Sequence, residues 1–285
     1  MRPIILLLVF APATALAFGG KPHVPGNPHL AIQPAVLASN GFRPTPENDR
    51  DADCLDDAAE HAIAQHFRPY FIFDSRENAR RSFEPVVVYR VWPTPRARCG
   101  GALPTEVSIK YAHLYRDDGG FATSTLCGNT HRGDNQSILV RVRVESGGRV
   151  FRMTSVVIGG EYWPNSRVYF HGNHHPAVYL SAGKHHEYVD TAWDGAGYPY
   201  YNLGCREGVD GAGPRLLARL ESAYAPRGRN NVGEPGAHPS AWFVNDLRWL
   251  GFEGESAWGT TPFCGGHRSS CDPDDTSTMA GLWGN

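Results

Sequence analysis

The chain contains no Cys-x-x-Cys pair, so its cysteine spacing fits neither a thiolate zinc knuckle nor a thioredoxin-like redox centre. It contains no His-Glu-x-x-His either. His186-Glu187-Tyr188-Val189 is followed by Asp190, where a zinc protease needs its second histidine. Leu180-Ser181-Ala182-Gly183 lacks the first glycine of a nucleophile elbow, which removes the usual support for serine hydrolysis. An excess of one charge is missing too. Lysine and arginine number 27 against 29 aspartates and glutamates, a formal net charge of -2, so nothing argues for nucleic acid as a partner. Beyond the first residues no stretch is long and apolar enough for a membrane helix. No internal repeat is present.

What the chain does have begins with a leader. Met1-Arg2, the apolar run from Ile4 to Phe10 and the small residues Ala15-Leu16-Ala17 read as a secretory signal peptide over residues 1–17. A secreted protein, extracellular or periplasmic, with no transmembrane segment in its mature form is therefore expected. The six cysteines are Cys54, Cys99, Cys127, Cys205, Cys264 and Cys271. An even count behind a leader reads as three disulfides. Spacing leaves the pairing open; Cys264 with Cys271 is the favoured local loop and Cys99 with Cys127 the next.

Residues 18–46 are rich in Pro, Gly and Asn without periodicity, which predicts an extended arm. Residues 48–67 read as a helix. Asn48 or Asp49 caps it, acidic residues fill its first turn, and Leu55, Ala58, Ala59, Ala62, Ile63 and His66 form an apolar stripe. The same stretch mimics a calcium loop, with Asp49, Asp51, Asp53, Asp57 and Glu60 at positions 1, 3, 5, 9 and 12. Cys54 stands where that loop needs glycine, and Asp56 where it needs an apolar residue, so the helix is preferred.

Strands dominate the rest. Ser108 to Asp117 alternates, with Ile109, Tyr111, His113, Tyr115 and Asp117 on one face. Ile138, Val140, Val142 and Val144 share a face of a second strand, while Arg141, Arg143 and Glu145 point to solvent. Ser146-Gly147-Gly148 turns that strand into a third, Val150 to Ile158, as a hairpin. Tyr70 to Phe73, Phe83 to Trp92, Arg167 to Phe170 and Ala177 to Ser181 add further strands. Leu216 to Tyr224, entered through Pro214, is a second helix candidate. The expected fold is all-β with minor α: a single-domain β-sandwich over residues 47–285 with one or two peripheral helices.

Chemistry concentrates where two strands meet. Counting back from Ile138 in twos puts Gln136 and Asp134 on the apolar side, and Asp117 ends the neighbouring alternation. Asp117, Asp134, His131 and Gln136 form a candidate hard-cation site, whose oxygen donors favour Ca²⁺ or Mg²⁺. Asp117 and Asp118 also read as turn residues before Gly119-Gly120, and Asp134 as a loop cap. His171, His174, His175, His185 and His186 are dense enough for a transition metal or acid–base work, and equally read as exposed loop residues.

The motif His131-Arg132-Gly133-Asp134-Asn135-Gln136 resembles the Gly-His-Arg-His-Asp-Trp-Glu signature of the necrosis-inducing cytolysins and the His-Glu-Gly-Asp-Trp-Glu of their vacuolar protein sorting 62-type relatives. Tyr115-Arg116-Asp117 matches the family's upstream acidic residue after a Tyr-rich strand. Val178-Tyr179-Leu180-Ser181-Ala182-Gly183-Lys184-His185 matches a downstream strand ending in Gly and His. Arg68 to Phe73 with Glu84-Pro85 resembles the sorting-type opening. The resemblance spans roughly residues 65–190 and implies a β-sandwich whose divalent cation helps dock a glycosylated lipid headgroup. It makes Asp117 and Asp134 cation ligands with His131 and Gln136 beside them, and His185, Asp118 and Arg132 ligand-binding residues. Gln136 stands where the signature has an acid and Asn135 where it has Trp, and fewer charges weaken such a site. The first expectation is thus a secreted, cation-binding protein that recognises a glycan or lipid headgroup. A secreted metal-dependent hydrolase using Asp117, Asp134, His131 and His185 is the alternative, and a structural extracellular protein with a vestigial site the third.

Overall fold

A computed structural model of the chain describes residues 31–45, 47–49, 53–77, 86–94, 99–118, 131–159, 161–190, 209–218 and 220. Residues 1–17, expected to be a leader, and the cysteines Cys127, Cys205, Cys264 and Cys271 lie outside them. The described residues build an all-β fold with one α-helix, arranged as two sheets over a shared core.

The first sheet is formed by β1 (Ala35–Val36), β3 (Val86–Thr94), β4 (Glu106–Asp118), β5 (His131–Glu145), β6 (Val150–Ile158) and β7 (Glu161–Pro164). Their order is β1-β6-β5-β4-β3, with β7 also on β6, and every pairing is antiparallel. The second comprises β2 (Tyr70–Phe73), β8 (Phe170–His171), β9 (His175–Leu180), β10 (Glu187–Tyr188) and β11 (Arg215–Leu217). Here β2 and β9 run parallel, while β10, β11 and β8 pair antiparallel. Phe71, Phe73, Val178 and Leu180 of the second sheet share one apolar cluster with Val87, Tyr89, Ile109, Tyr111, Ile138, Val140 and Phe151 of the first. Two inner faces closing on one core is the sandwich arrangement.

The alternation read from sequence is what buries these faces. Val107, Ile109, Tyr111 and Tyr115 of β4 are 0–2% exposed, and Ile138, Val140 and Val142 of β5 oppose them with no exposure. Ser108 and Lys110 on the opposite face of β4 are buried as well, so a single covered face is too simple there. Ser146, Gly147 and Gly148 all take positive φ, which closes the β5–β6 hairpin as expected. Arg143 is exposed, whereas Arg141 and Glu145 are half-buried.

Three expectations are corrected. The helix, α1, spans only Asp57–His66, and its N-cap is Asp56, whose side chain accepts from Ala58 N and Ala59 N. Asn48 and Asp49 cannot cap it because Asp49 is engaged in a preceding loop, accepting from Asp53 N and Cys54 N at 3.0 Å each. Cys99 is bonded to Cys54, not to Cys127. The stretch entered through Pro214 opens as strand β11, since Arg215, Leu216 and Leu217 pair with Ile72, Phe71 and Tyr70. An open sheet edge outcompetes a weak helical pattern. The second half of the arm is also part of the sandwich: Ala35 is 3% exposed and lies in the core.

The helix packs on β3 and β4 through paired side chains. Tyr111 donates its hydroxyl to Ala64 O at 2.8 Å, and His61 Nδ1 lies 2.6 Å from the Tyr89 hydroxyl.

Candidate functional site

The antiparallel register of β4 and β5 fixes which residues share a face, because directly opposed residues point the same way. His113 opposes Gln136, Tyr115 opposes Asp134, Asp117 opposes Arg132 and Asp118 opposes His131. Gln136 therefore shares a face with His113, Tyr111 and Ile138, while the side chains of Asp117, Asp118, His131, Arg132 and Asp134 lie outside the described ones. The signature residues lie inside a long strand, not in a loop that enters one. Of these side chains only Gln136 is described, and it is half-buried.

The second sheet brings a polar segment across this end of β4. His185 stacks its ring on Tyr115, centroids 3.8 Å apart and planes 4° from parallel. Its backbone takes φ 54°, an uncommon conformation for a residue with a Cβ. Glu77 Oε2 accepts from Gly183 N at 2.9 Å and lies 3.7 Å from His185 Nε2. Two residues further on, Glu187 Oε2 accepts from Gly159 N at 3.3 Å, and Glu187 Oε1 lies 3.1 Å from His113 Nδ1. Phe71 presses edge-on against the His113 ring at 4.4 Å.

His113 and Glu187 are the residues that sequence reasoning missed. Their side chains are 0% and 1% exposed. Neither ring nitrogen of His113 and not Oε1 of Glu187 makes a hydrogen bond. Buried polar atoms are nearly always satisfied, and each failure costs about 1–3 kcal/mol. The signal was available for His113, which sits in the alternating apolar face of β4. Nothing local marks Glu187, because its partner is 74 positions away on another sheet and only the fold unites them.

A His–carboxylate separation of 3.1 Å is an ordinary ion-pair distance and is also one that two ligands of a single ion can have. Two ligands at right angles on an ion with bonds of about 2.1 Å stand roughly 3.0 Å apart. The observed separation is 3.1 Å, and Gln136 lies directly across from His113 in the register. Ca²⁺, with bonds of about 2.3–2.6 Å, needs a wider spacing.

Two other polar places do different work. Asp49, Cys54 and Cys99 converge, but both sulfurs are in the disulfide and provide no thiolate. In the calcium-like stretch Asp49, Asp53, Asp57 and Glu60 are buried and Cys54 takes φ 77°. Asp49 and Asp53 carboxylates accept from Asp53, Cys54 and Leu55 N–H groups, so they fasten the loop's own backbone. A cleft of about 290 Å³ beside the disulfide is lined by Phe42, Leu103 and Pro104, with Arg43 its one charged residue.

Among the described residues no helix is long and apolar enough to cross a membrane. No family model, curated protein or solved structure matches the chain.

Proposed function

We propose that this is a secreted, divalent-cation-binding β-sandwich protein that recognises a polar ligand, a glycan or a lipid headgroup, through its bound ion. The observation that carries the reading is the buried meeting of His113 and Glu187, whose facing atoms lie 3.1 Å apart with no hydrogen bond between them. Gln136, opposite His113 in the register, and Asp134 of the same strand are the further donors of this reading. An imidazole among oxygen donors shifts the expected cation from Ca²⁺ or Mg²⁺ alone toward Mg²⁺, Mn²⁺ or Zn²⁺. The ion would leave open positions for hydroxyls or a phosphate of the ligand. The leader and the Cys54–Cys99 disulfide support secretion.

Calorimetric titration of chelator-stripped protein with Mg²⁺, Mn²⁺, Zn²⁺ and Ca²⁺ tests this. Binding of at least one ion is expected, weakened tenfold or more in Glu187→Gln and Asp134→Ala variants of unchanged circular dichroism. No binding of any of the four would overturn the reading. Retention on glycan arrays or glycolipid vesicles that chelation abolishes would identify the polar ligand's class.

His185 favours a second reading, a secreted metal-dependent hydrolase. Its strained backbone and its place between Tyr115 and Glu77 suit a base acting on ion-bound water. Ester turnover lost in His185→Gln with metal affinity kept would establish it.

A further inference from the structure

Away from that site, Asp49, Cys54 and Cys99 bring a carboxylate oxygen and two sulfurs within 4.8 Å of one another. They come from two stretches of chain, the loop before α1 and the connection from β3 to β4. Cys54 and Asp49 are buried, while Cys99 is exposed. The cleft of about 290 Å³ opens beside both cysteines. A reductant therefore reaches the disulfide from the Cys99 side.

The carboxylate is already held as a metal ligand is held. Asp49 Oδ1 accepts from Asp53 N and Oδ2 from Cys54 N, each at 3.0 Å, and Oδ2 lies 3.9 Å from Cys99 Sγ. A disulfide sulfur has no proton to donate, so that last approach is a contact. Each carboxylate oxygen carries two lone pairs, and Oδ2 has one to spare. Outer hydrogen bonds of this kind orient ligating carboxylates. On a tetrahedral zinc ion, with bonds of about 2.3 Å to sulfur and about 2.0 Å to oxygen, a sulfur and an oxygen stand roughly 3.5 Å apart and two sulfurs roughly 3.8 Å. The first spacing is close to the one observed. The second needs the sulfurs to part, and Cys99 has room to swing: a Cβ added at the neighbouring Gly100 meets nothing within 4 Å.

We propose that reduction of Cys54–Cys99 uncovers a zinc site, in which both thiolates and Asp49 Oδ2 hold the ion and a water from the cleft completes the tetrahedron. Ion and disulfide exclude one another. A dithiol supplies the electrons. Its thiolate attacks Cys99 Sγ, the S–S bond breaks and Cys54 leaves as a thiolate. The dithiol's second thiolate then displaces Cys99, and the reductant departs as its own disulfide. Zn²⁺ takes the place of the two thiol protons, which pass to solvent.

Charge leaves the reduced state incomplete without the ion. Two thiolates beside a buried carboxylate gather three negative charges, and their repulsion favours protonated sulfurs. A divalent cation offsets two of the three. Thiolate is a soft ligand, which selects zinc over the Mg²⁺ or Ca²⁺ that oxygen donors hold. The site shares no residue with the His113–Glu187 pair, and it makes zinc uptake conditional on reducing surroundings.

Titrating the full chain with Co²⁺ as a stand-in for zinc tests this, before and after anaerobic reduction by a phosphine, which leaves as its oxide. Thiolate bound to Co²⁺ gives a near-ultraviolet charge-transfer band that oxygen and nitrogen ligands lack, so an ion at His113 and Glu187 stays silent. The band is expected in reduced protein only, saturating at one ion per chain and bleached by equimolar Zn²⁺. Cys99→Ser removes one sulfur and leaves Cys127, Cys205, Cys264 and Cys271 in place; it should weaken the affinity at least a hundredfold. Asp49→Asn should weaken it at least tenfold. No band, or a band that oxidised protein shares, would overturn the site. So would an affinity that either variant keeps, or a reduced chain that unfolds and that Zn²⁺ does not refold.

Discussion

His113 Nδ1 of β4 and Glu187 Oε1 of β10 face one another at 3.1 Å across the two sheets, buried and without a hydrogen bond. Folding alone gains little from such a pair. An ion pair in a low-dielectric interior repays its desolvation only with good geometry, and apolar replacement is often neutral or stabilising. A place where stability is forgone is where a ligand is expected to restore it.

The first prediction is a trade between stability and binding. The double variant His113→Phe/Glu187→Gln keeps an acceptor for Gly159 N and gives Phe71 an apolar neighbour. Its metal-free melting temperature is expected to equal or exceed that of wild type, with no further rise on adding Mn²⁺ or Zn²⁺. His113→Phe alone should melt lower than the double variant, because it leaves Glu187 buried without the imidazole. Calorimetric melts of the three proteins check both statements.

The second concerns the loop before α1. Cys54–Cys99 closes a loop with a sequence separation of 45, for which chain entropy gives about 4 kcal/mol. The Cys54→Ala/Cys99→Ala variant is expected to lose roughly 2–4 kcal/mol in urea unfolding. A loss near zero would mean that the unfolded chain gains nothing from the cut.

The third concerns the seam between helix and sheet. Ala64 O belongs to the last turn of α1, where carbonyls lack an intrahelical partner, and the Tyr111 hydroxyl supplies one at 2.8 Å. Tyr111→Phe leaves that carbonyl buried and unmet and should cost about 1–2 kcal/mol in denaturant unfolding. Burial also raises the Tyr111 phenol well above its ordinary value, which keeps the hydroxyl a donor around neutral pH.

Periodicity made β4, β5 and β6 legible, because alternation reports burial directly and Ser146-Gly147-Gly148 has the backbone freedom a tight turn demands. It also placed Gln136 on the face it shares with Ile138, and the register sets Gln136 opposite the buried His113. Short strands were harder. β11 is three residues long and is defined by its partner β2, not by its own pattern. Helix α1 was located, yet its start was misread. Asn48 and Asp49 look like caps until the disulfide and the positive φ of Cys54 make the preceding stretch a loop. Glu187 lay beyond reach for the reason that decides most sites: its value comes from a neighbour distant in sequence.

The last prediction turns on Gln136, which opposes His113 in the register and stands where the resembled signature carries an acid. Gln136→Glu places a second carboxylate beside the His113–Glu187 pair. With an ion bound, the added negative charge attracts it across a few ångströms of partly desolvated space, where Coulomb energies are several-fold larger than in water. Without an ion, the new carboxylate repels Glu187 and raises at least one carboxyl pKa. The variant should therefore melt below wild type in chelator and gain more on adding Mg²⁺ or Mn²⁺, since binding to the folded state alone adds stability by mass action. Because Gln136 is half-buried and reaches solvent, salt screens part of the attraction, and the gain should shrink between low and high ionic strength. Melts at two salt concentrations, with and without the ion, separate the two terms. An unchanged ion-dependent shift would place Gln136 outside the cation's reach and leave His113 and Glu187 as a buried pair with no ligand between them.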